Sequence, residues 1–333
     1  MNQQSDTPSK ATSSYVSVII PAYNVAGYLE RTLDSALTQT ISDLEVIVVD
    51  DASSDTTFEV ASSVAARDAR VRVLRNERNR GPAASRNRAV HSARGEWIAL
   101  LDADDAWRPE RLERMMAYAT NADVISDDVY VIARSRTKPG EYRFWSLLRE
   151  RGLTLTKPRW LSLRDFVGYD IGLIHPIFRR TFLTSHQLAY NPSPSLRGIE
   201  DFHFYFEILW KGARWLQLPR AYYLWTSGRA GSLTSNQRVH WQRAIEATRS
   251  LYSHPAAAED AGLAAAFEHR IQEGHDILVY DTARDLLRHR RFAEFAKFLL
   301  EQPSSLSLMV KRSIKRLHVR LVLSRRLAEM EKL

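Results

Sequence analysis

Apolar positions change their period along the chain, and each change marks an element. Residues 16–20 (Val-Ser-Val-Ile-Ile) form a short β-branched run, the pattern of a strand buried on both faces, and Pro21 is placed to end it. From Ala26 the apolar residues Leu29, Leu33 and Leu37 recur four apart, which predicts a helix with one inward face. Residues 44–49 make a second strand that ends in Asp50-Asp51. Ser53, Ser54 and Asp55 are N-cap types, and Phe58, Ala61, Val64 and Ala65 mark the buried face of the helix they start. Residues 71–74 are a third strand. After the polar loop around Gly81-Pro82, residues 83–93 read as a short helix and 97–101 as a fully apolar strand. Pro109 suits the first turn of a further helix whose inward face is Leu112, Met115, Met116 and Ala119.

Alternating strands and helices of this kind predict an α/β fold, a mixed but mostly parallel sheet flanked by helices. In such open sheets ligands gather beyond the carboxyl ends of the strands, where Asp50-Asp51 and residues 102–105 both fall. From Val124 the pattern is less regular, with a strand through Ile132 and a turn at Pro139-Gly140. Beyond Asn236 it becomes helical, over 241–251, 261–289 with a break near Gly274, and 292–300. No Gly-rich or Pro-rich linker intervenes. The expected organisation is a loose tail over 1–14, a catalytic domain over 15–235 with halves 15–120 and 121–235, and a docked helical extension over 236–333.

With 47 Lys+Arg against 39 Asp+Glu the net charge is +8, which favours anionic partners without choosing among them. The absence of cysteine removes disulfides, thiolate metal sites and cysteine nucleophiles. Residues 1–14 are polar and lack the apolar run of a signal peptide, and no apolar stretch is long enough to span a bilayer. The expected address is therefore cytoplasmic, with any membrane contact peripheral.

Asp102, Asp104 and Asp105 put three carboxylates into four positions at a strand end. Two readings fit. Their mutual repulsion is relieved by a hard divalent cation, Mn2+ or Mg2+, or they decorate a helix N-terminus. Asp50-Asp51 has the same two readings, a ligand for a base or ribose and ordinary helix-start chemistry.

The combination of these segments resembles the inverting family 2 of glycosyltransferases with the GT-A fold. The matching stretches are Val18-Ile19-Ile20-Pro21-Ala22-Tyr23-Asn24, residues 33–39, 45–54 with Asp55 and Thr57, 79–87, and Gly95-Glu96-Trp97 through Pro109. The resemblance implies that Pro21 and Tyr23 line the base pocket and that Asp51 hydrogen-bonds the base. It implies that Asp102 and Asp104 are the Asp-x-Asp element, Asp104 on the metal and Asp102 on ribose or metal. Gly81, Arg86 and Asn87 match the loop that closes over the donor, although a turn glycine and a loop-fixing asparagine suit Gly81 and Asn87 equally. A second match, Ile177-Phe178-Arg179-Arg180 and residues 196–204, places a Glu-Asp pair at 200–201. There the resemblance implies Asp201 as catalytic base, with Glu200 orienting the acceptor or its loop unless it is a solvated helix-start charge. Residues 222–225 and 228–234 resemble the segment that ends the catalytic domain. Trp225 stands where an arginine is usual, so Arg229 and Ser232 are the candidates for a diphosphate clamp.

The implied activity is inverting transfer of a sugar from a nucleotide diphosphate, with UDP the expected carrier, to a hydroxyl of a glycan or lipid-linked oligosaccharide in exopolysaccharide or cell-surface polysaccharide assembly. Between Lys311 and Arg326 seven residues are Lys or Arg and none is acidic, while Val310, Ile314, Leu317 and Leu321 share a helical face. That suits a helix over 306–326 lying on an anionic membrane, or one packed on the body with a solvated basic side; without interleaved aromatics, nucleic acid is not expected. A receiver domain fits less well because the Asp pair follows the second strand, not the first. A nucleotidyltransferase would carry a Gly-rich phosphate loop where Pro21-Ala22-Tyr23-Asn24 stands. An inactive nucleotide-sugar-binding module would not need Asp102, Asp104 and Asp201 together.

Overall fold

The computed structural model describes residues 16–134, 141–228, 237–323 and 325–326. The first half follows the expected order: β1 (Val16–Ala22), α1 (Ala26–Leu37), β2 (Leu44–Asp50), α2 (Thr57–Arg67), β3 (Val71–Arg75), α3 (Pro82–Ser92) and β4 (Trp97–Leu100). Pro21 does not end β1. That strand pairs with β2 as far as Ala22 but with β4 only as far as Ile19, so no ladder partner requires the N–H that proline lacks. The helix-start side chains expected to cap α2 serve α1 as well. Ser53 Oγ, Thr57 Oγ1 and Asp55 Oδ2 accept from the backbone N–H groups of Asn24, Val25 and Ala26, which tie the first loop to the second.

Next come β5 (Ala106–Trp107), α4 (Arg111–Met116), β6 (Val124–Arg134), β7 (Tyr142–Ser146), α5 (Leu147–Glu150), β8 (Arg159–Trp160), α6 (Leu163–Gly168), β9 (Ile177–Arg179), α7 (Arg180–Ser185), α8 (Glu200–Trp210) and β10 (Trp215–Ser227). The sheet is mixed and mostly parallel. Its order β3-β2-β1-β4 is parallel, β9 enters antiparallel between β4 and β6, and β10 runs parallel to β6 while β7 flanks β6 antiparallel. Val18, Ile19 and Ile20 of β1, Val46, Ile47 and Val48 of β2, and Trp97 and Ile98 of β4 are wholly buried, each contributing ~1.5–3 kcal/mol of apolar transfer. This core holds the strand ends, and hence the loops after β1, β2 and β4, side by side.

The C-terminal helices are α9 (Gln237–Tyr252), α10 (Pro255–Glu259), α11 (Ala261–Arg288), α12 (Phe292–Glu301) and α13 (Ser304–His318). α11 is unbroken at Gly274. The glycine instead permits a close helix crossing, because a Cβ there would meet Ile245 Cγ1 of α9 at 2.7 Å. Docking is also ionic: Arg270 of α11 and Arg151 reach Asp170 at 2.9 and 2.7 Å, and the Arg270 guanidinium lies 3.7 Å over the Phe202 ring.

α13 packs on α11 through part of its basic side: Lys315 and Arg312 lie 3.4 and 3.8 Å from Glu273, and Arg316 lies 3.6 Å from Asp281, with Lys315 and Arg316 still about half exposed. Leu306, Val310, Ile314 and Leu317 face outward, each more than half exposed. The α-helix gives way at His318 to a π-helical turn over Val319–Leu323, and only then does β11 (Arg325–Arg326) pair antiparallel with β7 where the helix was expected to run on. Among the described residues no helix is long and apolar enough to cross a membrane. The expected turn at Pro139-Gly140 lies outside the described residues.

Candidate active site

The loops after β1, β2 and β4 meet the start of α8 around a cleft of about 300 Å³, lined by Pro21, Tyr23, Asp51, Arg86, Asp102, Asp104, Glu200 and Asp201. Residues separated by up to 180 positions are thereby brought together, and they are eight of the twelve named from the sequence. Arg229 and Ser232 lie outside the described residues. Gly81 and Asn87 stand behind the wall.

Tyr23 follows β1 and is 44% exposed, an open ring at the cleft mouth. Asp51 is buried and occupied: Asn76 Nδ2 and the Arg80 N–H donate to Oδ1 at 2.7 and 2.9 Å, and the Gly81 N–H donates to Oδ2 at 2.8 Å. Asp51 thus fixes the loop leading into α3, and Gly81 turns it at φ 84°. The next residue, Ala52, sits at φ 59°, a conformation costing ~1–2 kcal/mol in a residue with a side chain. Asn87 makes a two-way lock with the backbone of Tyr190, its Nδ2 donating to the carbonyl at 2.7 Å and its Oδ1 accepting from the N–H at 2.8 Å. Both ends of its amide are committed to that segment.

Arg86, one turn into α3, is the hub. Its Nη2 donates to Asp102 Oδ1 at 2.9 Å, and its Nη1 donates to Glu200 Oε1 at 3.1 Å and lies 3.4 Å from Asp201 Oδ1. Burial opposes its charge, but Asp201, Asp102 and Glu200 outweigh burial and keep the guanidinium protonated. Glu200 opens α8, yet it is buried with only 3% exposed, and its Oε2 accepts from the Gly198 N–H at 2.5 Å. It is not a solvated helix-start charge.

Asp201 differs from its neighbours. Burial, opposed by Arg86 and reinforced by Glu200 and Asp102, pushes its carboxyl up to about 7. Its Oδ1 is buried and makes no close hydrogen bond, with Arg86 Nη1 at 3.4 Å and the Tyr190 hydroxyl its nearest polar neighbours. A carboxyl poised near neutrality on a cleft wall can take a proton.

The three carboxylates after β4 have separate environments. Asp105 is no helix cap: its Oδ2 accepts from the Tyr223 hydroxyl and its Oδ1 from the Thr226 N–H, both at 2.8 Å, which latches β10 to the loop. Burial, with the charges of Asp104 and Asp102, pushes its carboxyl far up. Asp102 and Asp104 face the cleft. His175, given no role by sequence reasoning, places Nε2 3.7 Å from Asp102 Oδ2. Burial pushes the imidazole down to about 4 despite Asp102, with Arg86 and Arg111 adding to the effect, so the ring is neutral and its lone pair is available to a cation. Ligand atoms of Asp102, Asp105 and His175 lie within 4.8 Å of one another. Hard oxygen donors with one imidazole suit Mn2+ or Mg2+. His175 carries no local motif; the folded path before β9 brings it to the cleft, as β10 brings Trp225, the residue standing where an arginine is usual.

Comparison with known proteins identifies the fold and the family. Residues 17–182 match the model of glycosyl transferase family 2. The chain is 32% identical to the succinoglycan biosynthesis protein ExoO of Rhizobium meliloti (strain 1021), over 92% of this chain and 88% of that protein. Its fold is similar to S. aureus TarS 1–349 in complex with UDP-GlcNAc (TM-score 0.62, 21% identity, 88% of this chain and 92% of that one). It is also similar to the mannosyltransferase PcManGT from Pyrobaculum calidifontis in complex with GDP-Man and Mn2+ (TM-score 0.55, 18% identity, 95% and 90%). With an α/β sheet of the GT-A kind, a carboxylate-lined cleft at its strand ends and a relative of this identity along nearly the whole chain, the protein belongs to glycosyl transferase family 2.

Proposed function

We propose that the chain transfers a sugar, with inversion, from a nucleotide diphosphate sugar, a UDP-sugar first among candidates, to a hydroxyl of a glycan or lipid-linked acceptor in the assembly of an exopolysaccharide or other cell-surface polysaccharide. The observation that carries this reading is Asp201, a carboxyl raised to about 7 beside the Arg86 guanidinium in the same cleft as Tyr23, Asp102 and Asp104. The acceptor oxygen attacks the anomeric carbon, its proton passes to Asp201, and the bond from that carbon to the diphosphate breaks as the nucleoside diphosphate leaves. A metal-neutralised leaving group needs no protein acid, so one proton-transferring carboxylate suffices. Tyr23 stacks on the base. Asp51 holds the base-side loop and offers what remains of its Oδ2 to the base. Asp102 and Asp104 hold a divalent cation, with His175 in reach; when bound, that cation neutralises charge developing on the diphosphate. Arg86 keeps Asp102, Glu200 and Asp201 in one arrangement.

Support for these roles comes from the cleft geometry and from the nucleotide-sugar and Mn2+ complexes of the structural neighbours. Peripheral membrane contact belongs to the same reading. Besides the outward apolar residues of α13, Phe292 and Leu300 of α12 are 61% and 83% exposed, and Lys311 is exposed as well. Such a surface fits the headgroup region of an anionic bilayer.

The direct test is a thermal-shift and hydrolysis screen of UDP-, GDP- and dTDP-sugars with and without Mn2+. A metal-dependent shift by at least one nucleotide sugar, abolished in Asp104→Asn, is expected. Indifference to every nucleotide, with or without metal, would sink the reading.

A further inference from the structure

On the other side of β10 lies a second cavity, of about 280 Å³, that the transfer reaction does not use. Neighbouring residues of the strand divide between the two sites: Tyr223 sends its hydroxyl to Asp105 at the catalytic cleft, and Tyr222 lines the second cavity. On β6, neighbouring residues likewise point to opposite sides. Asp127 pairs with buried Arg111 at 2.8 Å, while Asp128 forms the floor of the second cavity.

The walls carry Arg108, Arg114, Arg149 and Arg220 against only Glu110 and Asp128. Glu110 is taken by Arg108 at 3.4 Å. Asp128 is saturated from within, accepting from the Val129 and Leu148 N–H groups and from the Ser146 hydroxyl. Burial pushes its carboxyl up to about 6 against those bonds, and the charge it keeps at neutral pH is held by those donors. Arg114, Arg149 and Arg220 have no ion-pair partner among the described residues. Arg114 and Arg220 line the cavity together with Tyr222.

Four guanidinium groups against two carboxylates that are already engaged leave the cavity cationic and call for an oxyanion, which arginine can bind bidentately. The remaining lining is aromatic. Tyr130, packed edge-on against Phe144 at 4.9 Å, and Trp145 supply ring surface of the kind that accepts the apolar face of a sugar. Volume, ring surface and unpaired cations together describe one ligand. We propose that this cavity binds an acidic glycan, a sugar bearing a carboxylate or phosphate, at a site separate from the catalytic cleft and independent of the roles given to Asp201 and Asp104. A polymer held there would stay attached to the enzyme between transfers.

The test uses the full chain and isothermal titration with three probes: a glucuronate-containing tetrasaccharide, its carboxyl-reduced neutral counterpart, and inorganic phosphate. UDP and Mn2+ are kept saturating so that the catalytic cleft is occupied. The acidic tetrasaccharide is expected to bind, with the neutral counterpart and phosphate each at least tenfold weaker. The double variant Arg114→Gln/Arg220→Gln should lose at least tenfold in affinity while hydrolysing donor at the parental rate, and Arg149→Gln supplies an independent check if the double variant folds poorly. Equal binding of the neutral sugar, unchanged affinity in both variants, or phosphate binding as tightly as the tetrasaccharide would each overturn the proposal.

Discussion

Replacing Asp201 with asparagine should make the protein more stable and stop it transferring sugar. In the folded state the carboxyl is raised from 3.8 to about 7, so ionising it above pH 7 costs ~4 kcal/mol relative to the unfolded chain. Between the two values the unfolded state has released its proton and the folded state has not. The folded state therefore binds more protons, and the contribution of this group to stability falls as pH rises from about 4 to about 7, then levels off. Asparagine keeps the volume and removes the titration. Urea unfolding should show Asp201→Asn more stable than the parent by one to a few kcal/mol at pH 8, with the difference shrinking toward zero at pH 4.5. Transfer should fall by ~10²–10⁴, the usual worth of a general base, while donor affinity is kept. In the parent, kcat/KM should climb about tenfold per pH unit below 7 and flatten above it. An asparagine variant that is less stable at pH 8, or one that still turns over normally, would refute both the environment assigned to this carboxyl and its role.

Two further outcomes follow from the same geometry. Arg86→Gln removes the cation that Asp102, Glu200 and Asp201 share, and should cost ~3–5 kcal/mol at pH 8 and less at pH 5, where protonation of Asp201 relieves the repulsion; equal loss at both pH values in denaturant titrations would contradict the hub role. Ile314→Gln/Leu317→Gln on the outward stripe of α13 should lower co-sedimentation with phosphatidylglycerol vesicles severalfold without changing Tm, and vesicle binding equal to the parent would place membrane contact elsewhere or nowhere.

Strand and helix order through α4 was legible because each element of a parallel sheet carries its own period, whether a continuous apolar run or a four-residue spacing, and local pattern suffices to place it. The second half was less so. β5, β8 and β9 span two or three residues each and exist through pairing with distant strands, and no local period announces them. Pro21 and Gly274 show the same limit. A proline reads as a stop and a glycine as a break, yet one lies beyond the end of its neighbour strand and the other lets Ile245 approach.

By itself the sequence determined the composition of the site: which carboxylates end strands, and which Glu-Asp pair opens a later helix. Tertiary structure decided what each is free to do. Asp51 and Asp105 are absorbed by backbone N–H groups and a tyrosine hydroxyl, Asn87 by the Tyr190 backbone, and Glu200 by Arg86, whereas Asp201 keeps only a longer contact with Arg86 and His175 arrives beside Asp102 from 73 positions away. A side chain's residue type sets the bonds it can make, but burial and the partners brought by distant segments decide which bonds are already made, and only the folded chain holds that information.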